Sequence, residues 1–209
     1  MWNTQWSTLL VSKSPHGFTS SNDVFKPHRV PCLPANLPIH PSNCYDFLSL
    51  TRLHRLSDRV TIVRRSKNDN PCVLKIARFS YELRALQTEI KAYGVLLASG
   101  YINAPKFIGY VYEETDERII GFLMEYLQGR HAELDDLHLC SVSMAELHPV
   151  GIVHRDLNKY NIIVSDNKAK FIDCEAAIFQ GAKWFTERKQ LEVVGLAQKL
   201  ADVSDTGKH

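Results

Sequence analysis

The sequence lacks the features that mark membrane, secreted and nucleic-acid-binding proteins. None of its apolar runs approaches the roughly 18 to 20 residues that a membrane span requires, and residues 1–15 lack the basic and apolar regions of a secretory signal. Its five cysteines include no Cys-x-x-Cys pair, which favours reduced thiols. The net charge of +2 is too small to indicate a nucleic-acid or membrane partner. We therefore expect a globular protein of the reducing cytoplasm.

Proline is scarce after position 41, whereas six of the nine prolines lie at or before Pro41. Because proline removes a backbone donor and disfavours helix in the residue before it, residues 1–43 are predicted to be an extended or disordered arm. The rest of the chain is predicted to form two connected parts, residues 44–128 and residues 129–209.

The pattern within 44–128 predicts a small antiparallel sheet with one helix. Short apolar or alternating runs bounded by turn-forming residues predict strands, over 45–50, 59–64, 72–77, 107–112 and 118–126. Between the third and fourth strands, apolar residues from Leu83 to Leu97 recur at spacings of three and four, and Gly100 stands where helices commonly end. The sequence therefore predicts a helix over 80–99 and the order β-β-β-α-β-β.

The pattern within 129–209 predicts a mainly helical part. Leu134, Leu137, Met144 and His148 share one helix face before Pro149, and a second amphipathic helix is predicted over 187–203. Between the two helices, two short apolar strands bracket polar loops and are joined by the turn at 165–168.

The most informative segment is His-Arg-Asp-Leu-Asn-Lys-Tyr-Asn at 154–161, with Asp173 twelve residues after Asn161. Across a hairpin, Asp156 and Asn161 leave one strand end while Asp173 leaves its neighbour, so three oxygen-bearing side chains can converge. Carboxylate and amide oxygens suit Mg²⁺, and phosphoryl transfer needs a further carboxylate to orient the attacking hydroxyl. This spacing predicts a magnesium-dependent phosphoryl-transfer site.

The segment resembles the catalytic loop of the protein-kinase-like superfamily, which reads H-R-D-L-x-x-x-N. The resemblance implies that Asp156 orients the acceptor and takes its proton, and that Asn161 and Asp173 hold the metal. It further implies that Lys75 contacts the nucleotide phosphates and that Glu89 is its carboxylate partner. Each of these residue types alone is more commonly a solvated charge or a turn former.

Residues 122–129 resemble the hinge between two lobes. The resemblance implies that backbone groups of Glu125 and Leu127 meet the adenine edge and that Met124 lines the pocket behind it. The implied ligands are ATP and Mg²⁺ or Mn²⁺. An ordinary strand that ends in a turn at Gly129 is the alternative interpretation of this segment.

The sequence departs from the superfamily in three places. No glycine occurs between Phe18 and Tyr93, so the glycine-rich phosphate loop is missing or replaced, and Arg55, Ser57 or Arg59 could supply donors instead. Glu175 stands where the D-F-G motif has its glycine, and a residue other than glycine there is similar to the pattern of aminoglycoside and choline phosphotransferases. No A-P-E sequence follows Asp173, and in this brevity the chain resembles RIO-type minimal kinases.

We therefore expect an α+β, kinase-like two-lobed fold, with a small antiparallel-sheet N-lobe carrying one helix and an abbreviated, mainly helical C-lobe. The expected function is ATP- and Mg²⁺-dependent transfer of a γ-phosphoryl group to a hydroxyl acceptor, with protein serine or threonine favoured. Two alternatives stay open. One is a pseudokinase or nucleotide-binding interaction module without catalysis, and the other is a small-molecule kinase of the aminoglycoside or choline type.

Overall fold

The computed structural model describes residues 9–22 and 32–204, which belong to two separate units. In the first unit, β1 (Leu9–Ser14) and β2 (Gly17–Asn22) form an antiparallel hairpin in which Ser14 pairs with Gly17. Residues 1–8 and 23–31 of the predicted arm lie outside the described residues. The predicted boundaries of the arm and of the two parts that follow it stay predictions.

Six strands form the main sheet of the second unit. They are β3 (Cys44–Asp46), β4 (Thr51–Arg55), β5 (Val60–Arg64), β6 (Cys72–Ile76), β7 (Phe107–Glu113) and β8 (Thr115–Glu125). Their order across the sheet is β3-β7-β8-β6-β5-β4. The β3–β7 pair is parallel and all other neighbours are antiparallel.

Side-chain alternation along the strands divides the buried residues between two clusters. On β6, Val73 belongs to the larger cluster together with α1 (Leu83–Ser99), whereas Cys72 and Leu74 belong to a second cluster with Leu123 of β8. The same alternation places Lys75 on the side of Val73, toward α1. This register positions the charged site described below.

Helix α1 confirms the prediction of a helix in this region. A short helical turn at Ser80–Glu82 precedes it, and Gly100 ends it in the left-handed conformation, with φ of 70° and its N–H directed to the carbonyls of Leu96 and Leu97. Tyr93 is buried, and its ring lies 5.6 Å from that of Phe122 on β8.

The second half of the unit contains two helices and five short strands. They are β9 (Arg130–His131), α2 (Leu137–Leu147), β10 (Ile152–Val153), β11 (Ile162–Ser165), β12 (Lys168–Phe171), β13 (Ile178–Phe179) and α3 (Phe185–Ala201). The Ser143 hydroxyl of α2 donates to the Ala169 carbonyl of β12, and α3 buries Leu196 and Leu200. The predicted α+β class is confirmed.

The predicted strand over 45–50 is wrong. Only residues 44–46 are strand, and Phe47–Ser49 form a helical turn in which the Asp46 carboxylate accepts from the Leu48 N–H. On the side of β5 away from β6, the neighbouring strand is instead β4, which lies in a segment that the sequence pattern left as a loop. All five residues of β4 are exposed at the sheet edge, so no apolar alternation marks the strand.

Residues 32–43 add apolar contacts to the unit. Leu33 is buried and its N–H donates to the Ile119 carbonyl, while the Tyr110 hydroxyl donates to the Ile39 carbonyl.

Across residues 9–22 and 32–204, no helix combines the length and the apolar composition that crossing a membrane demands.

Replacing two of the glycines by alanine is expected to change the free energy of unfolding in opposite directions. A Cβ atom at Gly121 of β8 would clash with the Lys75 carbonyl and with Ile76 of β6, whereas at Gly195 of α3 it would meet nothing within 4 Å. We expect Gly121→Ala to lower the free energy of unfolding by about 1–3 kcal/mol through overpacking. Gly195→Ala should raise it by about 0.5–1 kcal/mol through helix propensity. Urea denaturation of both variants checks this, and shifts of the same sign would contradict it.

Candidate functional site

Lys75 lies among three carboxylates. Its Nζ is 2.6 Å from Glu89 Oε2, 2.8 Å from Asp173 Oδ1 and 3.1 Å from Glu175 Oε1. Glu89 comes from α1 and the other two residues follow β12. The structure therefore brings together three of the predicted site residues, and it adds Glu175 to them.

The Lys75–Glu89 pair is buried. Lys75 is 4% exposed and Glu89 is 0% exposed, and Oε1 of Glu89 has no hydrogen-bond partner in the described part of the chain. Burial raises the pKa of Glu89 to about 7 against the opposing attraction of Lys75. Burial alone would lower the pKa of Lys75, but the three carboxylates outweigh it and raise this pKa above its ordinary value. The ammonium thus stays charged at neutral pH.

Arg59 brings a second cation to this cluster. Its Nη2 and Nη1 donate to Oε1 and Oε2 of Glu175, at 2.8 and 3.2 Å, and its Nε donates to the Ile76 carbonyl at 3.1 Å. Glu175 Oε1 therefore lies between the guanidinium of Arg59 and the ammonium of Lys75. Such a two-bond contact to a carboxylate is the strong form of an arginine ion pair.

Residues 154–161 form an ordered loop between β10 and β11. The Asn158 side chain accepts from the N–H groups of Tyr160 and Asn161, which fixes the turn that ends the loop. Asn161 Nδ2 donates to the Asp156 backbone carbonyl at 2.9 Å and to its carboxylate at 3.1 Å. Two of the predicted site residues, Asp156 and Asn161, are thus in direct contact, and Asp156 is exposed to solvent.

Two hydrogen bonds connect this loop to the segment that carries Asp173. The Ile172 N–H donates to the Asn161 carbonyl at 3.0 Å, and a ring nitrogen of the buried His154 lies 2.8 Å from the Ile172 carbonyl. Asp173 itself has left-handed backbone angles, with φ of 62°, a conformation that Asp tolerates better than most residues. The hairpin thus places Asn161 and Asp173 close together, as their spacing predicts.

A cleft of about 410 Å³ joins the two groups of residues. Its lining includes Arg59, Lys75 and Glu175 from the ion-pair cluster, with Asn161 and Asp173 from the second half of the unit. Its apolar contributions come from Leu56, Val60, Met124 and Ile172. Asp156 and Glu89 are not part of the lining, and each contacts a residue that is. The volume falls in the range of small-molecule sites.

Part of the chain is similar to known kinase-like proteins. Residues 122–185, which carry the 154–161 loop and Asp173, match the family model of the RIO domain. Over these residues the chain is similar to a protein-kinase-like domain of the RIO type. A probable serine/threonine-protein kinase of Encephalitozoon cuniculi is similar to it, with 28% identity over 127 residues. The match covers 61% of this chain and 23% of that protein, so the chain spans less than a quarter of the relative's length.

The predicted hinge residues are divided between two hollows. Met124 lines the cleft and its sulfur accepts from the Tyr93 hydroxyl. Glu125 and Leu127 line a neighbouring hollow of about 360 Å³ instead. The Glu125 N–H donates to the Lys106 carbonyl, so its predicted contact with an adenine edge rests on its carbonyl group. Their role in nucleotide binding stays a prediction.

The residues of the cleft fit a nucleotide and a divalent metal ion. Because the Asn161 amide nitrogen contacts Asp156, the amide oxygen is the atom that can take a metal. Carboxylate oxygens of Glu89, Asp173 and Glu175 lie within 4.8 Å of one another, and oxygen ligands of this kind suit Mg²⁺ and Mn²⁺. Lys75 and Arg59 supply the positive charge that phosphates require.

Glu192 of α3 is a positioning residue that the sequence did not reveal. Its carboxylate accepts from the N–H groups of Arg155 at 2.6 Å and His154 at 3.3 Å, and it lies 2.8 Å from His148 Nε2. Arg155 has a φ of 71°, which is unfavourable outside glycine, so this contact holds a strained loop. A helical glutamate is ordinarily exposed, and no sequence signal distinguishes this one.

Loss of the Glu192 carboxylate is expected to loosen the 154–161 loop. We expect Glu192→Ala to lower the free energy of unfolding by about 1–3 kcal/mol, because the N–H groups of His154 and Arg155 and the ring of the buried His148 lose their shared partner. Thermal denaturation followed by circular dichroism measures the change. Glu117→Ala, at an exposed position of β8, is the control and should change stability by less than about 0.5 kcal/mol. Equal effects of the two substitutions would show that Glu192 does not hold the loop.

Proposed function

We propose that the RIO-type domain transfers the γ-phosphoryl group of ATP to a hydroxyl group, with protein serine or threonine as the acceptor. The observation that carries this proposal is the buried Lys75–Glu89 pair, whose ammonium faces Asp173 in the same cleft that Asn161 lines. The name of the relative, a probable serine/threonine-protein kinase, supports the choice of acceptor.

Asp156 carries the acceptor chemistry in this proposal. Its carboxylate is exposed, and the Asn161 amide group donates one hydrogen bond to that carboxylate and one to the Asp156 backbone carbonyl. A fixed carboxylate can accept a hydrogen bond from an incoming hydroxyl, orient it and take its proton as the new bond to phosphorus forms. The exposed side chain leaves room for a protein segment to approach.

The remaining site residues orient and neutralise charge. Lys75 would contact the phosphates, Glu89 would hold Lys75, and Asn161 and Asp173 would hold the metal ion. When bound, Mg·ATP supplies the phosphoryl group, and the metal offsets the negative charge of the phosphates. The apolar side chains of Val60, Met124 and Ile172 exclude water from the inner part of the cleft.

Transfer of label from γ-labelled ATP to the protein itself, or to a serine-containing acceptor protein, tests the proposal. Asp173→Asn preserves the left-handed backbone, because asparagine tolerates it as well as aspartate, and it should remove the signal through loss of a metal ligand. Equal labelling by the wild type and Asp173→Asn would contradict a phosphotransferase. Labelling of a small alcohol such as choline, with no protein labelled, would favour the small-molecule kinase.

A nucleotide-binding module without catalysis is the second candidate. It is favoured by the engagement of Lys75 with three carboxylates and by the connection of β4 to β5, residues 56–59, which contains no glycine. Such a module would bind Mg·ATP in calorimetry, and the labelling assay would give no signal above that of Asp173→Asn.

A further inference from the structure

Lys75 and Arg59 line the cleft with Asp173 and Glu175, and Glu89 contacts Lys75 from behind the lining. Lys75 contacts all three carboxylates, whereas Arg59 forms a two-bond contact with Glu175 and a longer contact, 3.7 Å from its Nε, with Glu82 of the turn before α1. Glu175 is thus the group that occupies both cations at once. In the superfamily pattern this position is a glycine, which has no side chain to do so.

We propose that Arg59 is a phosphate-binding residue in place of the glycine-rich loop, and that Glu175 occupies Arg59 and Lys75 until a polyphosphate displaces it. This inference rests on the proposed use of a nucleoside triphosphate in the cleft. The sequence left Arg55, Ser57 and Arg59 open as phosphate donors, and this inference assigns the contact to Arg59.

The position of Arg59 supports this assignment. It immediately precedes β5 and lines the cleft beside Lys75. The preceding turn is tight, since the N–H groups of Leu56 and Ser57 both donate to the Val60 carbonyl. The hydrogen bond from Arg59 Nε to the Ile76 carbonyl holds the guanidinium, so the arginine side chain loses less conformational entropy when it binds an anion.

The chemistry of the guanidinium supports it as well. Its planar pair of N–H groups matches two oxygens of a carboxylate or of a phosphate equally well. Glu175 presents two oxygens to it, one of which is shared with Lys75. A phosphate carries more negative charge than a carboxylate and would take both cations in the same way, so the two anions compete.

The other two donors are placed differently. Arg55 is directed to Asp58 and to the Ser57 carbonyl, is exposed, and is absent from the lining of the cleft. Ser57 lines the cleft, and its hydroxyl accepts from the Arg59 N–H at 3.4 Å. Ser57 therefore supports the turn that presents Arg59.

Titration calorimetry of the full chain with Mg·ATP and, separately, with sodium tripolyphosphate tests the competition. Glu175→Gln keeps the shape but not the charge, and it should bind both ligands about 10-fold or more tightly than the wild type, because a neutral amide competes less strongly for the two cations than a carboxylate does. Arg59→Met should bind both about 10-fold or more weakly. Arg52→Met, at an exposed arginine of β4, is the matched control and should bind like the wild type.

The two variants test the inference independently of each other. Circular dichroism shows whether Arg59→Met is folded, and the isosteric Glu175→Gln tests the same competition if it is not. Wild-type affinity in a folded Arg59→Met, unchanged or weaker binding by Glu175→Gln, or no binding of either ligand by the wild type would each overturn the inference. If the expected order of affinities holds but no label is transferred, the phosphotransferase proposal fails and the phosphate site stands. If label is transferred while Arg59→Met binds both ligands like the wild type, the phosphotransferase proposal stands and the phosphate site at Arg59 fails.

Discussion

Replacement of Asp156 by asparagine is expected to reduce phosphoryl transfer by about 10²- to 10⁴-fold, the usual contribution of a positioned general base. Asparagine has the same shape and can still accept the Asn161 hydrogen bond, but it cannot take a proton from the acceptor hydroxyl. The fold should persist, because Asp156 is exposed and does not belong to the buried clusters. The rate of label transfer from γ-labelled ATP measures the effect.

Asp166→Asn provides the matched control for this experiment. Asp166 is an exposed carboxylate in the turn between β11 and β12, and its φ of 49° suits asparagine as well as aspartate. Its activity should equal that of the wild type. If Asp156→Asn and Asp166→Asn transfer label at the same rate, Asp156 has no catalytic role.

Replacement of Lys75 by methionine is expected to affect both stability and activity. The substitution leaves Glu89, Asp173 and Glu175 without their shared ammonium group, and breaking a buried ion pair in this way costs about 3–5 kcal/mol of unfolding free energy. Phosphoryl transfer should fall by about 10²-fold or more through loss of charge at the phosphates. Urea denaturation and the label-transfer assay measure the two effects.

The stability deficit of Lys75→Met should depend on pH. Burial raises the pKa of Glu89 to about 7 from an ordinary value of 4.5, so between these values the native state binds more protons than the unfolded state. The contribution of Glu89 to stability therefore falls as the pH rises through this range. Without the ammonium group the pKa rises further, so the deficit should be larger at pH 8 than at pH 5.

Lys67→Met is the control for the lysine substitution. Lys67 is exposed in the turn between β5 and β6, so its replacement should change the unfolding free energy by less than about 0.5 kcal/mol at either pH. A deficit of Lys75→Met that is the same at pH 5 and pH 8 would show that Glu89 does not report on the missing cation.

The predicted fold was accurate where hydrophobic periodicity was strong. Helix α1 and the strands β5, β6, β7 and β8 carry apolar residues at the spacing of their secondary structure, and the structure places them within a few residues of the predicted ranges. The exposed edge strand β4 was missed, and β3 ends at Asp46, four residues before the end of the strand predicted over 45–50. Both depend on pairing with a neighbouring strand, because their own side chains bury little apolar area.

The predicted site residues divide in a similar way. The segment 154–161 and Asp173 were recognisable because their spacing along the chain is short and fixed, and the structure brings them together with Lys75 and Glu89. Their catalytic roles stay predictions. Glu192 and the Arg59–Glu175 contact could not be found, because the partners are separated by 37 and 116 residues and each residue type is common on surfaces.

The sequence by itself determined the local features of this protein: the helix period of α1, the strand alternation around Lys75 and the loop motif at 154–161. These depend on residues close together in the chain, where backbone geometry relates spacing to direction. Only the tertiary structure decided which charges share the cleft, how Glu175 lies between Arg59 and Lys75, and that Glu192 supports the loop. Those contacts join distant segments, and burial in a common low-dielectric site makes them strong.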